Sequence, residues 1–521
     1  MKKFSKILVL CLVVCLAVGA LAACSKFGPI GTMQYANEDA INNGGLVVQQ
    51  GKYLYYVNGM DATSNITKPS DNYFGNASVK GSIMKSEIND DGSLGETAVV
   101  VPKMFYTSAT NGGFYIYGEW IYYLSPSTKT DNVSNVLTSQ LVAARTKIDG
   151  TKTQEIATLS ANTTQYVFTD SEFIYYENNT LSKVSYDNSK VTKKSVALAE
   201  EVSSVLFTQK STTIFFIKSA SENSPRRNNN MYVCVDGEVK AITTDETYAD
   251  SANDLSKQFT YALVSYDASE NVLFYTKAAN NNDASKTTST YGYKFGDDFA
   301  FDASKEQKFA VNALSSFVSL GFEKGLMDTS AATLKLYKPI AANATQDDTE
   351  DYATLSATGA KIIKIEGEYM YYVLSNSLYR IAYADKDAQK KADGFTLISA
   401  ATADKDDSGK IAVAINTSWL TISLLGDYMY YIDNTYNYMY RLNLKDFVRE
   451  PNKVVYAYGE IVSGYRKATL TKEEDGSIKV NYVADDANEE GVTYYQIPKF
   501  MTEDDINTYA TAIYVEPEEE E

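Results

Sequence analysis

The sequence predicts an all-β fold of repeated four-stranded sheets, and three observations predict it. A six-position pattern of a small residue, a charge, an aromatic, an aliphatic and a Tyr-Tyr pair recurs at Gly51 to Tyr56 (GKYLYY), Gly118 to Tyr123 (GEWIYY), Ser171 to Tyr176 (SEFIYY), Gly367 to Tyr372 (GEYMYY) and Gly426 to Tyr431 (GDYMYY). A second apolar stretch follows these pairs and runs into an acidic or Asp-Gly turn, as Ile83 to Ile88 does before Asp91-Gly92 and Leu141 to Ile148 before Asp149-Gly150. Degraded copies at Thr213 to Ile217 and Asn271 to Tyr275 bring the copies to steps of 40 to 67 residues, with a single step of 97.

Each element follows from elementary chain chemistry. Glycine beside a charge turns the backbone, and aromatic, β-branched or long apolar residues then fill a pleated surface. Asp-Gly between apolar runs is a hairpin signal. A further strand precedes each pair, as in Trp419 to Leu424, and another closes several units, as in Thr97 to Val101. Four short antiparallel strands repeated at this period form the blades of a β-propeller, where radial packing protects the sheet edges.

The expected ring has eight four-stranded blades over residues 46–462: 46–101, 104–159, 165–198, 203–243, 259–312, 314–356, 360–399 and 411–462. The sixth lacks the tyrosine signature and rests on Thr333 to Tyr337 (TLKLY), so seven blades stay open as the alternative. Alternation along each strand sends one tyrosine of every pair to each face of its sheet, which makes the pairs core. Residues 463–515 hold a hairpin around Glu474-Asp475-Gly476 and a last Tyr494-Tyr495 strand, which either cap the ring or complete a terminal blade. Residues 516–521 are an acidic tail.

The amino terminus sets the location. Lys2, Lys3 and Lys6 precede an apolar run from Ile7 to Ala17, too short to span a bilayer and patterned as a secretory signal peptide over residues 1–23. Its end, Leu21-Ala22-Ala23-Cys24, resembles the lipobox of bacterial lipoproteins. That resemblance implies a mature chain beginning at Cys24 with a diacylglycerol on its sulfur, facing outside the cytoplasm. Residues 24–45, with Gly28, Pro29, Gly31, Asn42 and Asn43, read as the tether between lipid and ring.

Loss of residues 1–23 removes three of the 48 basic residues and none of the 66 acidic ones, leaving a formal charge of −21. Such a chain repels nucleic acid and anionic headgroups, so its membrane partnership rests on the acyl chains. Cys11 and Cys15 leave with the signal and Cys24 carries lipid, so Cys234 stands alone, no intramolecular disulfide is available, and Cys234 is expected as a small buried side chain. With no histidine in the chain, Ser-His-Asp and Cys-His pairs and imidazole zinc sites are excluded. No cofactor and no metal are expected. Asp404 to Gly409 imitates half of a calcium loop, but Ile415 stands where the bidentate glutamate belongs.

The repeats resemble the YWTD-type propeller blades of lipoprotein receptors and the propeller lipoproteins of bacterial envelopes. The second unit matches best, with Trp120, Ile121, Tyr122 and Tyr123 and then Arg145, Ile148, Asp149 and Gly150, although no unit carries the full Tyr-Trp-Thr-Asp tetrad. The resemblance implies the fold more than any ligand.

In units one, two, four and five the link after the Tyr-Tyr strand is stretched into a polar loop: Gly59 to Lys80, Ser125 to Gln140, Ser219 to Asn230 and Ala278 to Thr290. Such links emerge together on one face of a propeller, and clustered insertions mark a binding face. Tyr73 and Phe74 are the candidate aromatic contacts there, and Arg226 with Arg227 the candidate paired cation. The function expected is a lipid-anchored, non-enzymatic propeller that turns this face outward to bind a protein, peptide or glycan. The alternatives are a glycan-active enzyme using paired carboxylates and an envelope-assembly scaffold; apolar inner-strand stretches such as Leu46 to Val48 disfavour the enzyme.

Overall fold

The computed structural model describes residues 38–498 apart from 61–80, 102–103, 107–109, 127–139, 161, 209–210, 219–229, 245–258, 280–287, 331–332, 355–360, 367–368, 375–376, 383–394, 399–421, 433–438, 444–448, 451–452, 455–459, 462–464 and 485, together with 503, 506–507, 510–511 and 514. Among these residues lie eight four-stranded antiparallel sheets, spanning 47–101, 115–160, 165–199, 202–241, 259–310, 317–354, 361–398 and 423–461. Each is a meander whose strands neighbour one another in chain order, the signature of a β-propeller. The stretch without a tyrosine pair supplies Phe317–Ser319, Leu326–Asp328 and Thr333–Tyr337 to the sixth sheet.

Burial varies across each sheet. In the third sheet the first strand, Gln165–Phe168, is almost wholly buried, whereas the fourth, Val191–Ala199, is exposed along most of its length. In the third sheet the first strand therefore lies innermost and the fourth outermost, whereas in the fifth the first strand, Phe259–Asp267, is largely half-exposed and the fourth, Gln307–Ala310, is buried. Lys193 and Lys194 stand on the exposed edge of the third sheet, where charge discourages pairing with another chain.

The tyrosine pairs do what alternation requires. Tyr55, Tyr56, Tyr122, Tyr123, Tyr175, Tyr371, Tyr372, Tyr430 and Tyr431 are all buried, and Tyr176 is half-buried. The first ring of a pair packs toward the next sheet and the second toward the preceding one. Tyr122 thus stacks on Tyr186 of the third sheet, 5.2 Å between centroids, while Tyr123 joins the cluster of the first sheet. The degraded copies obey the same rule. Phe215 meets Tyr266, Phe295 and Phe299 of the fifth sheet, and Phe274 meets Phe317 of the sixth. Each such ring pair contributes roughly 0.5–1.5 kcal/mol beyond simple area burial.

These contacts run from the first sheet through to the sixth and join the eighth to the first. One cluster joins Leu425, Tyr430, Ile432 and Met439 of the eighth sheet to Leu54, Val57 and Met84 of the first and to Ile116 and Ile121 of the second. Among the described residues no strand is exchanged across that seam, because the eighth sheet is built from residues 423–461. Side chains close it: Asn42 Nδ2 donates to Ser423 Oγ at 3.1 Å, and Arg441 donates to the carbonyl of Gly92 at 2.9 Å.

Arg441 belongs to a repeated device. A cation on the third strand pairs across the sheet with the first residue of the doublet: Lys85 with Tyr55, Arg145 with Tyr122, Arg441 with Tyr430. It reaches the hairpin of the following sheet. Fully buried Arg145 lies 4.2 Å from the Trp120 ring centroid, donates to Gln154 Oε1 at 2.8 Å and crosses to the carbonyl of Asp187 at 2.7 Å.

Residues 465–498 add no strand to the eighth sheet. Tyr465–Lys472, Ile478–Tyr482 and Tyr495–Pro498 form a separate three-stranded sheet with its own small cluster of Ala468, Tyr495, Ile497 and Ala510.

Candidate binding face

Meander topology assigns every link to one of two rims. Turns from first to second strand and from third to fourth strand lie on one rim; links from second to third strand, and from one sheet to the next, lie on the other. The first sheet shows the arrangement directly: Val57 N, at the end of the second strand, donates to the carbonyl of Leu46, just before the first. The four stretched links therefore all depart from the rim at which the chain enters the ring. Tyr73, Phe74, Arg226 and Arg227 lie on those links and outside the described residues, as do Cys24 and Asp404 to Gly409.

The described part of this link rim is built from asparagine and glycine. Asn43 accepts from the backbone N of Ile116 at 2.7 Å and donates to its carbonyl at 3.1 Å. Asn111 repeats both bonds with Tyr166, at 2.7 and 2.9 Å. A carboxamide that donates and accepts imitates a strand partner, so each clamp joins neighbouring inner strands. Two glycines follow each clamp, and a Cβ on Gly113 would stand 2.1 Å from the carbonyl oxygen of Gly45. The Asn-Gly-Gly at 43–45 and 111–113 was legible in the sequence as a recurrence before inner strands. Composition alone groups 43–45 with the tether; the close backbone approach makes them part of the ring.

Asn58 sits at the neck of the first long link. Its backbone N donates to the carbonyl of Ser82 at 2.8 Å, and Gly81 N donates to the carbonyl of Gly59 at 2.9 Å. Both glycines have positive φ, 90° and 92°, a region that lets the neck turn sharply. The Asn58 side chain is 1% exposed, yet neither Oδ1 nor Nδ2 has a hydrogen-bond partner among the described residues. Burying such a group unpaired costs about 1–3 kcal/mol. No sequence signal beyond an asparagine closing an apolar strand marks it.

The opposite rim is built from aspartate. In the turns at Asp91, Asp149, Asp187 and Asp302 the carboxylate accepts from the backbone N and the hydroxyl of the residue two positions on. Bonds from Ser189 and Lys190 hold the Asp187 carboxyl down at about 2, and bonds from Ser93 and Ser304 lower those of Asp91 and Asp302. These aspartates are occupied with shaping turns.

A buried ionic group lies in the fifth sheet. Lys277 pairs with Glu306, which also accepts from the Tyr275 hydroxyl at 2.6 Å, and the ammonium lies 4.3 Å from the Tyr291 ring centroid. Burial lowers the Lys277 pKa against the opposing pull of Glu306, and burial with Glu306 pushes Tyr291 up to about 12. Burial also pushes the Cys234 thiol up to about 11, which keeps it protonated and inert.

No family model matches the chain, and no curated protein matches it. Solved structures do. The crystal structure of a nidogen/laminin complex matches over 60% of this chain and 89% of that one, at 9% identity and a TM-score of 0.23. The β-propeller domain of the Trilobed protease from Pyrococcus furiosus matches over 70% and 93%, at 9% identity and 0.30. Apo AztD from Citrobacter koseri matches over 73% and 95%, at 8% identity and 0.35. At these scores the likenesses carry no argument about this chain, and the propeller assignment rests on the strand order described above.

Among the described residues no group of three or more acidic or cysteine side chains is arranged to hold a metal ion. What the link rim offers is recognition chemistry: carboxamides in fixed positions, glycine-exposed backbone and four long polar links.

Proposed function

We propose that the chain is a membrane-anchored extracytoplasmic lipoprotein, acylated at Cys24, whose eight-bladed propeller binds a protein, peptide or glycan on its link rim without turning it over. The observation that carries this is the departure of four stretched links from one rim, beside a buried asparagine whose side chain has no hydrogen-bond partner among the described residues. Carboxamides recognise peptide groups and sugar hydroxyls equally well, because each supplies two donors and one acceptor oxygen. Tyr73, Phe74, Arg226 and Arg227 are the contacts proposed on the links. The chain from Ser25 onward should bind members of a glycan or peptide array, and replacing 61–80, 127–139, 219–229 and 281–287 by short turns should abolish binding while preserving the circular dichroism of the sheets. Undiminished binding by that variant sinks the assignment of the face.

A further inference from the structure

We infer that residues 38–45 are the clasp of the ring, a detachable strap that ties the eighth, first and second sheets together where their first strands converge and so takes the place of an exchanged strand. Every other pair of neighbouring sheets is joined by the chain itself. The eighth and the first are not, and residues 465–498 form a sheet of their own.

The strap begins as a strand. Ile41 forms an antiparallel bridge with Gln49, its N donating to the Gln49 carbonyl at 2.7 Å and its carbonyl accepting from Gln49 N at 3.2 Å. In an antiparallel ladder the N–H and C=O of one residue point to the same side, so Gln49 spends both on Ile41 and faces Leu54 of the second strand without exchanging bonds. Ile41 therefore lies on the free edge of the first strand, away from the rest of its sheet. Because the pairing is antiparallel, the chain upstream of Ile41 is directed back toward the Gly51 turn, on the aspartate rim.

At Asn42 the strap reverses, and it then bonds to all three sheets. Asn42 Nδ2 donates to the Val47 carbonyl at 2.7 Å and to Ser423 Oγ at 3.1 Å, while Asn43 takes both backbone groups of Ile116. Val47, Ile116 and Ser423 stand on the first strands of the first, second and eighth sheets. Gly44 accepts from Gly113 N at 2.6 Å and donates to the Phe114 carbonyl at 2.9 Å, and the Gly45 carbonyl accepts from Phe114 N at 3.1 Å. The reversal needs left-handed backbone at Asn42 and Gly44, with φ of 65° and 80°, which asparagine and glycine accept most readily.

What holds residues 38–41 is polar and shallow. Glu38 and Asp39 are exposed, Ile41 is 58% exposed, and of these residues Ala40 alone packs against the core, half-buried. Lifting them exchanges backbone bonds for bonds to water and uncovers almost no apolar surface. The contacts of Leu425, Tyr430, Ile432 and Met439 with the first sheet stay in place meanwhile. The strap can thus leave while the sheets stay folded, and the seam it spans loosens when it does.

The test is amide hydrogen exchange, resolved at single residues, on the full chain and three of its variants. Ile41→Pro removes the donor to Gln49, Asn42→Gly with Asn43→Ala removes the side-chain bonds while keeping the left-handed turn, and Asn111→Ala is a control at the second-to-third interface. In the unaltered chain the Gln49 amide should exchange at least about tenfold faster than those of Tyr53–Val57, by local opening of the strap. The double variant should quicken exchange in 47–50 and 423–425 at least about tenfold and leave 259–267 of the fifth sheet unchanged, whereas Asn111→Ala should leave 423–425 alone. Equal protection of Gln49 and Tyr53–Val57 in the unaltered chain overturns the detachable strap. Unchanged exchange at 423–425 in the double variant, or equal quickening in every sheet, overturns the clasp. If the double variant does not fold, Ile41→Pro decides the matter through the same amides.

Discussion

Two arcs of the ring solve the same packing problem differently. From the eighth sheet through the first to the third, neighbouring sheets are stitched by polar bonds as well as by rings: Arg441 to Gly92, Asn43 to Ile116, Asn111 to Tyr166, Arg145 to Asp187. From the fourth sheet to the sixth phenylalanine takes the place of the third-strand cation, while polar bonds still join the fifth sheet to the sixth: Glu270 accepts from Phe322 N at 2.8 Å and Lys308 donates to the Ala344 carbonyl at 3.0 Å. At the position held by Lys85, Arg145 and Arg441, the fourth sheet has Val233 opposite Phe215 and the fifth has Gly292 opposite Phe274. Gly292 is required there, because a Cβ would stand 2.8 Å from Phe309 and 2.9 Å from Phe274. A cation that reaches a neighbouring carbonyl and a glycine that admits two rings are alternative ways of filling one interface.

The comparison breaks most visibly in the apolar arc. Phe274→Ala should destabilise the protein by about 4 kcal/mol in urea unfolding, through lost burial and the cavity left behind. A loss under 1 kcal/mol would mean that rings do not hold this arc together. Arg145→Ala should cost about 3 kcal/mol, since it strands the Asp187 carbonyl and empties the space over Trp120. Arg145→Lys should recover only part of that, because an ammonium cannot hold Gln154 and Asp187 in one plane. Asn58→Leu should raise stability by about 1 kcal/mol, having removed an unpaired buried amide, and should weaken ligand binding if the face is assigned correctly.

Acid sharpens the contrast further. The Asp187 carboxyl lies near 2 in the fold against an ordinary 3.8, so its contribution is complete above about pH 4 and is lost as pH falls through about 2. Asp187→Asn should flatten that part of the acid-denaturation profile, and an unchanged profile would show that the turn does not support the second-to-third interface. The smallest effect concerns Cys234. A maleimide at pH 7 should leave the native protein unlabelled and react once it unfolds, with mass spectrometry as the readout.

Legibility in the sequence followed locality. The tyrosine pairs announced strands, and period-two alternation announced which ring faces which neighbour, because both are properties of six consecutive residues. Asn43 looked like tether because asparagine and glycine favour turns, and Asn111 passed unremarked inside the second blade. Their partners lie 73 and 55 residues away, a separation over which no local pattern operates. Asn58 left no trace, since an unpaired carboxamide is defined by what surrounds it.

By itself the sequence determined the all-β character, the repeating unit and the burial of its tyrosines, all consequences of side-chain chemistry acting over a few residues. Only the tertiary structure decided which cation reaches which carbonyl, that the eighth sheet packs on the first without exchanging a strand among the described residues, and that the entry to the first strand and the long links share a rim. Those depend on bringing distant segments to within hydrogen-bonding distance, and chain order does not encode distance.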